Sequence, residues 1–219
     1  MTVITPELLL HAYAMGVFPM AEGRRDPRMF FVDPDRRGVL PLDRPHLPRS
    51  LRKTLRSGRF EVRCDTCFAA VLRGCAEPTA TRPDTWINAE IEELYLELHA
   101  RGHAHSLETF ADGVLVGGLY GVALGAAFFG ESMFSRATDA SKVALAHLLA
   151  RLRMGGFTLL DTQFITDHLR RFGTIEIPRA EYRRLLAAAI AKPARFPADA
   201  AVDIDQFLAG LAQSSTQMS

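Results

Sequence analysis

The chain has 219 residues, 48% hydrophobic and 23% charged, which is enough apolar content to build a core unaided and excludes a wholly disordered polypeptide. Lys plus Arg number 26 against 25 Asp plus Glu, so the formal charge of +1 excludes a polybasic protein but leaves room for a local basic face. Three cysteines, Cys64, Cys67 and Cys75, do not make a secreted disulfide framework and fit a reducing cytoplasm.

In chain order, Thr5, Pro6 and Glu7 open a helix with a stripe of Leu8, Leu9, Ala12 and Met15, and Gly16 ends it. Residues 21–48 are rich in Pro, Gly, Asp and Arg, with one short strand expected at 29–32. Residues 49–56 form a basic helix whose Arg49, Arg52, Lys53 and Arg56 share one face, readable as a solvated surface or as a patch that contacts phosphates. Residues 1–58 are thus expected to form a small N-terminal domain.

From residue 59 the pattern changes. A strand at 60–64 is followed by helices at 66–74 and 88–101. Strands at 105–110 and 114–120 flank the Asp112-Gly113 turn, and a further strand covers 122–129. The glycine-broken apolar stretch 114–129 is shorter than the roughly 20 residues of a spanning helix, so no membrane crossing is expected. A helix at 139–154, a strand at 157–162 and helices at 166–172 and 178–191 follow. The order gives an α/β (α+β layered) class, with a central mixed sheet in a domain spanning 59–192. Residues 193–219 are a C-terminal tail with one helix at 203–211 and six disordered last residues.

Several groups could carry chemistry. Cys64-x-x-Cys67, with Cys75 and one of His99, His103 or His105, has incomplete zinc spacing, and buried thiols explain it better. Ser132 follows a strand, but Phe134 stands where a nucleophile elbow needs glycine. Glu131 is expected at the end of one strand, immediately before a helix, and Asp161 and Gln163 at the end of another. Asp161 either caps the helix after it or is used chemically, since a buried carboxylate is costly otherwise. The order of strands and helices is also that of an N-acetyltransferase core. The strand–helix junction at 133–141 has no glycine run for a coenzyme A pyrophosphate, which argues for a different acyl donor.

Several stretches then match a family: Tyr13-Ala-Met-Gly-Val-Phe-Pro19, Thr85-Trp86-Ile87, His103-Ala-His-Ser106, Gly130-Glu-Ser-Met-Phe-Ser-Arg136 and Leu160-Asp-Thr-Gln163, in this order. The chain resembles the leucyl/phenylalanyl-tRNA–protein transferases, the bacterial N-end-rule aminoacyltransferases. The resemblance implies a small N-terminal domain on an acetyltransferase-like domain. It implies transfer of Leu, Phe or Met from aminoacyl-tRNA to proteins with N-terminal Arg or Lys, in a cytoplasmic monomer without metal or organic cofactor. It places Glu131, Asp161 and Gln163 at the reaction centre, and Trp86 beside the aminoacyl-adenosine. Leu119, Leu148 and Leu152 fall in the aminoacyl pocket, and Ser132 and Met133 are counted with the substrate-binding residues. Met20 stands where members often carry Trp, a position associated with the terminal adenosine. Arg49, Arg52, Lys53 and Arg56 are the residues expected on tRNA. An aminoacyl ester is already activated, so the acceptor amine needs placement and proton removal more than covalent help. Glu131 suits the donor's α-ammonium, and Asp161 with Gln163 the acceptor amine and the reacting carbonyl. A coenzyme A-dependent acetyltransferase and a non-catalytic tRNA-binding module are the alternatives.

Overall fold

The computed structural model describes residues 4–80 and 82–216, with side chains to Gln213. Helix α1 (Pro6–Ala14) begins as its sequence dictates: the Leu8 N–H donates to Thr5 Oγ1 at 3.3 Å, and Pro6 occupies the first turn. Strands β1 (Phe18–Met20) and β2 (Phe30–Val32) then pair antiparallel as a separate ribbon, with Met20 opposite Phe30. Next come β3 (Arg36–Val39), α2 (Arg49–Arg56), β4 (Glu61–Cys64) and α3 (Phe68–Ala76). Helix α4 (Ala89–Ala100) is capped by Asn88, which accepts from the Ile91 N–H at 2.9 Å. The chain continues through β5 (Ala104–Ala111), β6 (Val114–Leu124), β7 (Ala127–Ser135), α5 (Ala140–Met154), β8 (Leu159–Gln163), α6 (Asp167–Arg170), β9 (Ile175–Pro178), α7 (Arg179–Ile190) and α8 (Ile204–Thr216).

Seven strands form one mixed sheet in the order β4-β5-β6-β7-β8-β3-β9. The pairing of β7 with β8 is parallel and the other pairings are antiparallel. One core packs α1, α3, α4 and α7 on one face, around Tyr13, Phe68, Tyr95 and Tyr182. A second packs α2, α5 and α8 on the other, around Leu51, Leu148, Leu149 and Leu208.

Three differences from the sequence reading matter. Strand β3 was not expected, because Arg36-Arg37-Gly38 reads as loop. It lies between β8 and β9, and α2 buries Leu51 on the α5 side. Residues 36–58, expected with the N-terminal domain, therefore contribute to the main sheet and its helical layer. Gly121 does not end a strand. It sits at a register shift inside β6, where a Cβ would collide with the Phe129 carbonyl, so the glycine serves close strand approach. The turn lies at 125–126, and Glu131 is consequently inside β7, with four more strand residues and a short connection before α5.

The tail is integrated. Phe196 stacks on His105 at 4.2 Å and on Phe128 at 5.5 Å. Arg151 donates to the carbonyls of Pro197 at 2.7 Å and Ala200 at 2.8 Å. The tail helix runs on to Thr216, so disorder does not begin at 214, and residues 217–219 lie outside those described. Burial pushes the Cys75 thiol up to about 12 and that of Cys64 higher still, which makes both poor thiolates. Among the described residues no helix is long and apolar enough to cross a membrane.

Candidate active site

Strands β7 and β8 pair only from Ala127 to Phe129 with Leu159 to Asp161, and then part. A cavity of about 380 Å³ lies beyond the split. Its apolar wall comes from Leu119 on β6, Met133 on β7, Leu145 and Leu148 on α5, Leu160 on β8 and Leu169 on α6. Met20, Trp86 and Phe164 complete it with less buried side chains. The polar lining includes Glu131, Ser132, Thr162, Gln163 and His168.

Glu131 is the central polar group. Its Oε2 accepts from Tyr95 Oη at 2.8 Å and from Gln163 Nε2 at 3.0 Å, and Tyr95 Oη lies 2.6 Å from Tyr13 Oη. Its other oxygen, Oε1, is buried without a partner in the protein. Burial pushes the Glu131 carboxyl up to about 7. Hydrogen bonds from Tyr13, Tyr95 and Gln163 oppose that rise, and the nearby Asp161 charge adds to it. The cavity thus holds an apolar surface beside a half-satisfied carboxylate, which suits a ligand with an apolar side chain next to a cation.

Asp161 lies outside the cavity lining. It is fully buried, and its Oδ1 accepts from Arg37 Nε at 2.9 Å and its Oδ2 from Arg37 Nη2 at 2.6 Å. Tyr182 Oη donates to Oδ2 at 2.7 Å, and the Gln163 backbone N–H donates to Oδ1 at 2.7 Å. Arg37 is held between the rings of Phe18 and Tyr182, each 4.5 Å from the guanidinium carbon, and donates to the Gly16 carbonyl at 2.9 Å. Asp161 does not cap α6. That cap is Thr166, whose Oγ1 accepts from the Leu169 N–H at 3.2 Å.

What Asp161 holds is the turn that carries Gln163. Gln163 sits at φ +60°, a strained region for a side-chain-bearing residue, and the Asp161 carboxylate anchors its N–H. Gly38 on β3 backs this turn. A Cβ there would lie 2.8 Å from Thr162 Oγ1 and 2.9 Å from the Phe164 carbonyl, so the strand can approach only as glycine. Gln163 then points its amide nitrogen at Glu131.

Of the residues expected in the site, Met20, Trp86, Leu119, Glu131, Ser132, Met133, Leu148 and Gln163 line the one cavity. Asp161 supports it from behind. Leu152, one turn beyond Leu148, is fully buried in the α5 core and does not line it. Sequence reasoning missed Leu145, Leu160, Leu169 and Phe164 as lining residues, and Tyr13, Tyr95, Arg37 and Tyr182 as supports. Leu145 was within reach, lying three residues before Leu148 on the same helix face. Arg37 was not, since nothing nearby in sequence marks it as buried.

The sheet is mixed and splits between β7 and β8, with the polar cluster of Glu131 and Gln163 at the opening. The solved structure of FemX matches with a TM-score of 0.54 at 12% identity, covering 78% of this chain and 66% of that one, which bears on the fold alone. The family model described as leucyl/phenylalanyl-tRNA protein transferase matches residues 39–187, and that of the family's N-terminal domain matches 3–35. The leucyl/phenylalanyl-tRNA–protein transferase of Paramagnetospirillum magneticum is 62% identical over 202 residues, 92% of this chain and 97% of that protein. That of Ruegeria pomeroyi is 57% identical over 216 residues, 99% of each. The chain belongs to the leucyl/phenylalanyl-tRNA–protein transferase family. It is an aminoacyl-tRNA transferase, with aminoacyl-tRNA and protein as its substrates.

The basic helix α2 is divided by its contacts. Arg52 Nε donates to the Leu47 carbonyl at 2.9 Å, and Arg56 pairs with Asp205 of α8 at 2.7 Å. Arg49 and Lys53 are exposed, and among the described residues no ion pair occupies either. Reversing both to Glu is expected to weaken tRNA binding and to flatten the dependence of log affinity on log salt by roughly 0.7–0.9 per lost contact. Unchanged affinity and slope in filter binding would make α2 ordinary surface.

Proposed function

We propose that the cavity seats the aminoacyl end of charged tRNA, and that Leu, Phe or Met passes from it to the α-amine of proteins beginning with Arg or Lys. The observation that carries this reading is the unpartnered Glu131 Oε1 beside an apolar cavity. The donor's side chain lies among Leu119, Met133, Leu145, Leu148 and Leu160. Its α-ammonium pairs with Glu131, which must be ionised to hold it. Trp86 and Met20 pack toward the adenosine, and Arg49 and Lys53 meet phosphates.

Gln163 is a placing group. Its Nε2 is committed to Glu131, which leaves its amide oxygen to accept a hydrogen bond from the incoming amine. The amine nitrogen attacks the ester carbon, the N–C bond forms, and the bond to the ribose oxygen breaks. The proton shed by the amine ends on that oxygen. An amide oxygen is a weak base, so Gln163 contributes orientation, and Asp161 and Arg37 contribute by fixing Gln163. The reaction needs no metal or organic cofactor and runs in a cytoplasmic monomer.

Leucyl-tRNA and a peptide beginning with Arg, incubated with the protein alone, should give a peptide heavier by one leucyl residue. Absence of that product from folded protein would overturn the reading, and acetylation from acetyl-coenzyme A would replace it with an acetyltransferase. Leu148→Phe narrows the cavity and should disfavour Phe transfer more than Leu transfer. Discrimination at the scale of a methylene in an apolar pocket is about 1–3 kcal/mol. Equal losses in kcat/KM for the two donors would leave Leu148 as core only.

A further inference from the structure

Phe164 is the one cavity-lining large apolar side chain, among the described residues, that stands exposed: 45% of it faces solvent. A single exposed apolar side chain is ordinary on a protein surface; this one is set apart by its place in the lining of the cavity. The ring does not hang on a loose loop. Its backbone N–H donates to the Thr162 carbonyl at 2.6 Å, the preceding residue is pinned by Asp161, and Gly38 lets β3 pack directly against the Phe164 carbonyl. Phe18, itself buried, meets the ring edge-to-face at 5.6 Å and 83°. The turn that directs Gln163 into the cavity therefore also fixes an aromatic ring at its opening.

We infer that Phe164 is a stacking platform for the terminal base of the donor nucleotide. The inference rests on the cavity being the seat of the aminoacyl group. An aminoacyl ester bound there continues into ribose and base, and these must leave the cavity past the residues that adjoin the reaction centre. Phe164 is the chain neighbour of Gln163 and lines the same cavity. Met20, on the same opening, offers a thioether without a planar face, and Trp86, the other aromatic toward the adenosine, is less exposed than Phe164 and leaves the second face of the base to it. A base has two π-faces whatever its identity, and stacking one on an aromatic side chain contributes affinity without reading sequence. The ring's fixed setting lowers the entropic cost of forming the stack.

The protein has a single tryptophan, Trp86, and it lines this cavity, so its fluorescence reports occupancy. The probes are leucine joined by an amide to 3′-amino-3′-deoxyadenosine, and the same leucyl aminosugar without the base. Wild-type protein should bind the adenosine compound about 5- to 100-fold more tightly than the abasic one, the range that one stacked base supplies. Phe164→Leu should lose most of that ratio while binding the abasic compound like wild type, and Phe164→Tyr should keep the ratio. An undiminished ratio in Phe164→Leu would overturn the inference, as would equal weakening for both compounds, which would mark Phe164 as part of the aminoacyl pocket. Failure of wild-type protein to bind either compound would overturn the cavity reading itself, and the inference with it.

Discussion

At pH 8, Glu131→Gln is expected to melt at a higher temperature than the parent protein while losing transfer by about 100-fold or more. The reason is that one carboxylate is costly to the fold and needed by the reaction. The Glu131 carboxyl lies near 7 in the folded protein against an ordinary value of 4.5. A raised value means that the folded state favours the protonated form. The stability linked to it is complete below about 4.5 and is lost as pH rises through about 7. Ionised Glu131 at pH 8 therefore costs about 3 kcal/mol. Glutamine keeps an acceptor for Tyr95 and Gln163 and removes the charge, so the melting difference should be several degrees at pH 8 and should vanish toward pH 5. Wild-type kcat/KM should fall on the acid side of pH 7, because a neutral carboxyl does not hold an ammonium group. Melting curves whose difference is the same at both pH values would show that the carboxylate carries no such cost.

Arg37→Met should destabilise the protein by about 3–5 kcal/mol, the usual result of leaving a buried charge without its partner. Here that charge is Asp161, which is fully buried. The double variant Arg37→Met with Asp161→Asn should recover much of the loss, since neither charge then remains. Asp161→Asn alone keeps the shape of the group but leaves Arg37 uncompensated. It should lower both the melting temperature and, by about 100-fold, the single-turnover rate, with charged-tRNA binding little changed. The rate falls because an amide NH2 in place of Oδ2 faces the Arg37 and Tyr182 donors, and the displaced side chain no longer holds the strained turn of Gln163 in place. A destabilised Asp161→Asn with a normal single-turnover rate would remove Asp161 from the mechanism, and an Arg37→Met that melts with the parent would remove the ion pair from the fold.

The parts of the fold set by local chemistry were legible in the sequence. Thr5 and Asn88 cap the helices they were expected to open, and the Asp112-Gly113 turn joins the two strands it was expected to join. What escaped were features decided by distant partners. Arg36-Arg37 has the composition of a loop and becomes an inner strand, between β8 and the edge strand β9, with Arg37 paired to Asp161 of β8. The glycines of β6 look like chain breaks and are instead points of close approach, which moved Glu131 from the end of its strand to the interior. Helix α5 is apolar on nearly every side, so no periodicity could tell Leu148, which faces the cavity, from Leu152, which does not. Glu131, Asp161 and Gln163 were singled out from their place on apolar strands, and the resemblance added Trp86 and Met20. The supports Tyr13, Tyr95 and Tyr182 had no signal, because a buried hydroxyl and a surface one look alike in sequence.

The position of β3 also orders events on the ribosome. Arg37 and Asp161 are separated by 124 residues of chain. At the ordinary pace of bacterial synthesis, about 5–20 residues per second, β3 waits roughly 6 to 25 seconds for β8 to be made, and longer for β9. Through that interval a strand with two arginines has neither of its neighbours, and its charge keeps it in water and out of premature pairings. When Glu131 and Gln163 have both been polymerised, β3 is present to back the turn that aims Gln163, but its other neighbour β9 is still to be made. A nascent chain ending before β9 carries the reacting side chains and β3, but it lacks the strand on the other side of β3 and the Tyr182 hydroxyl that completes the Asp161 cluster.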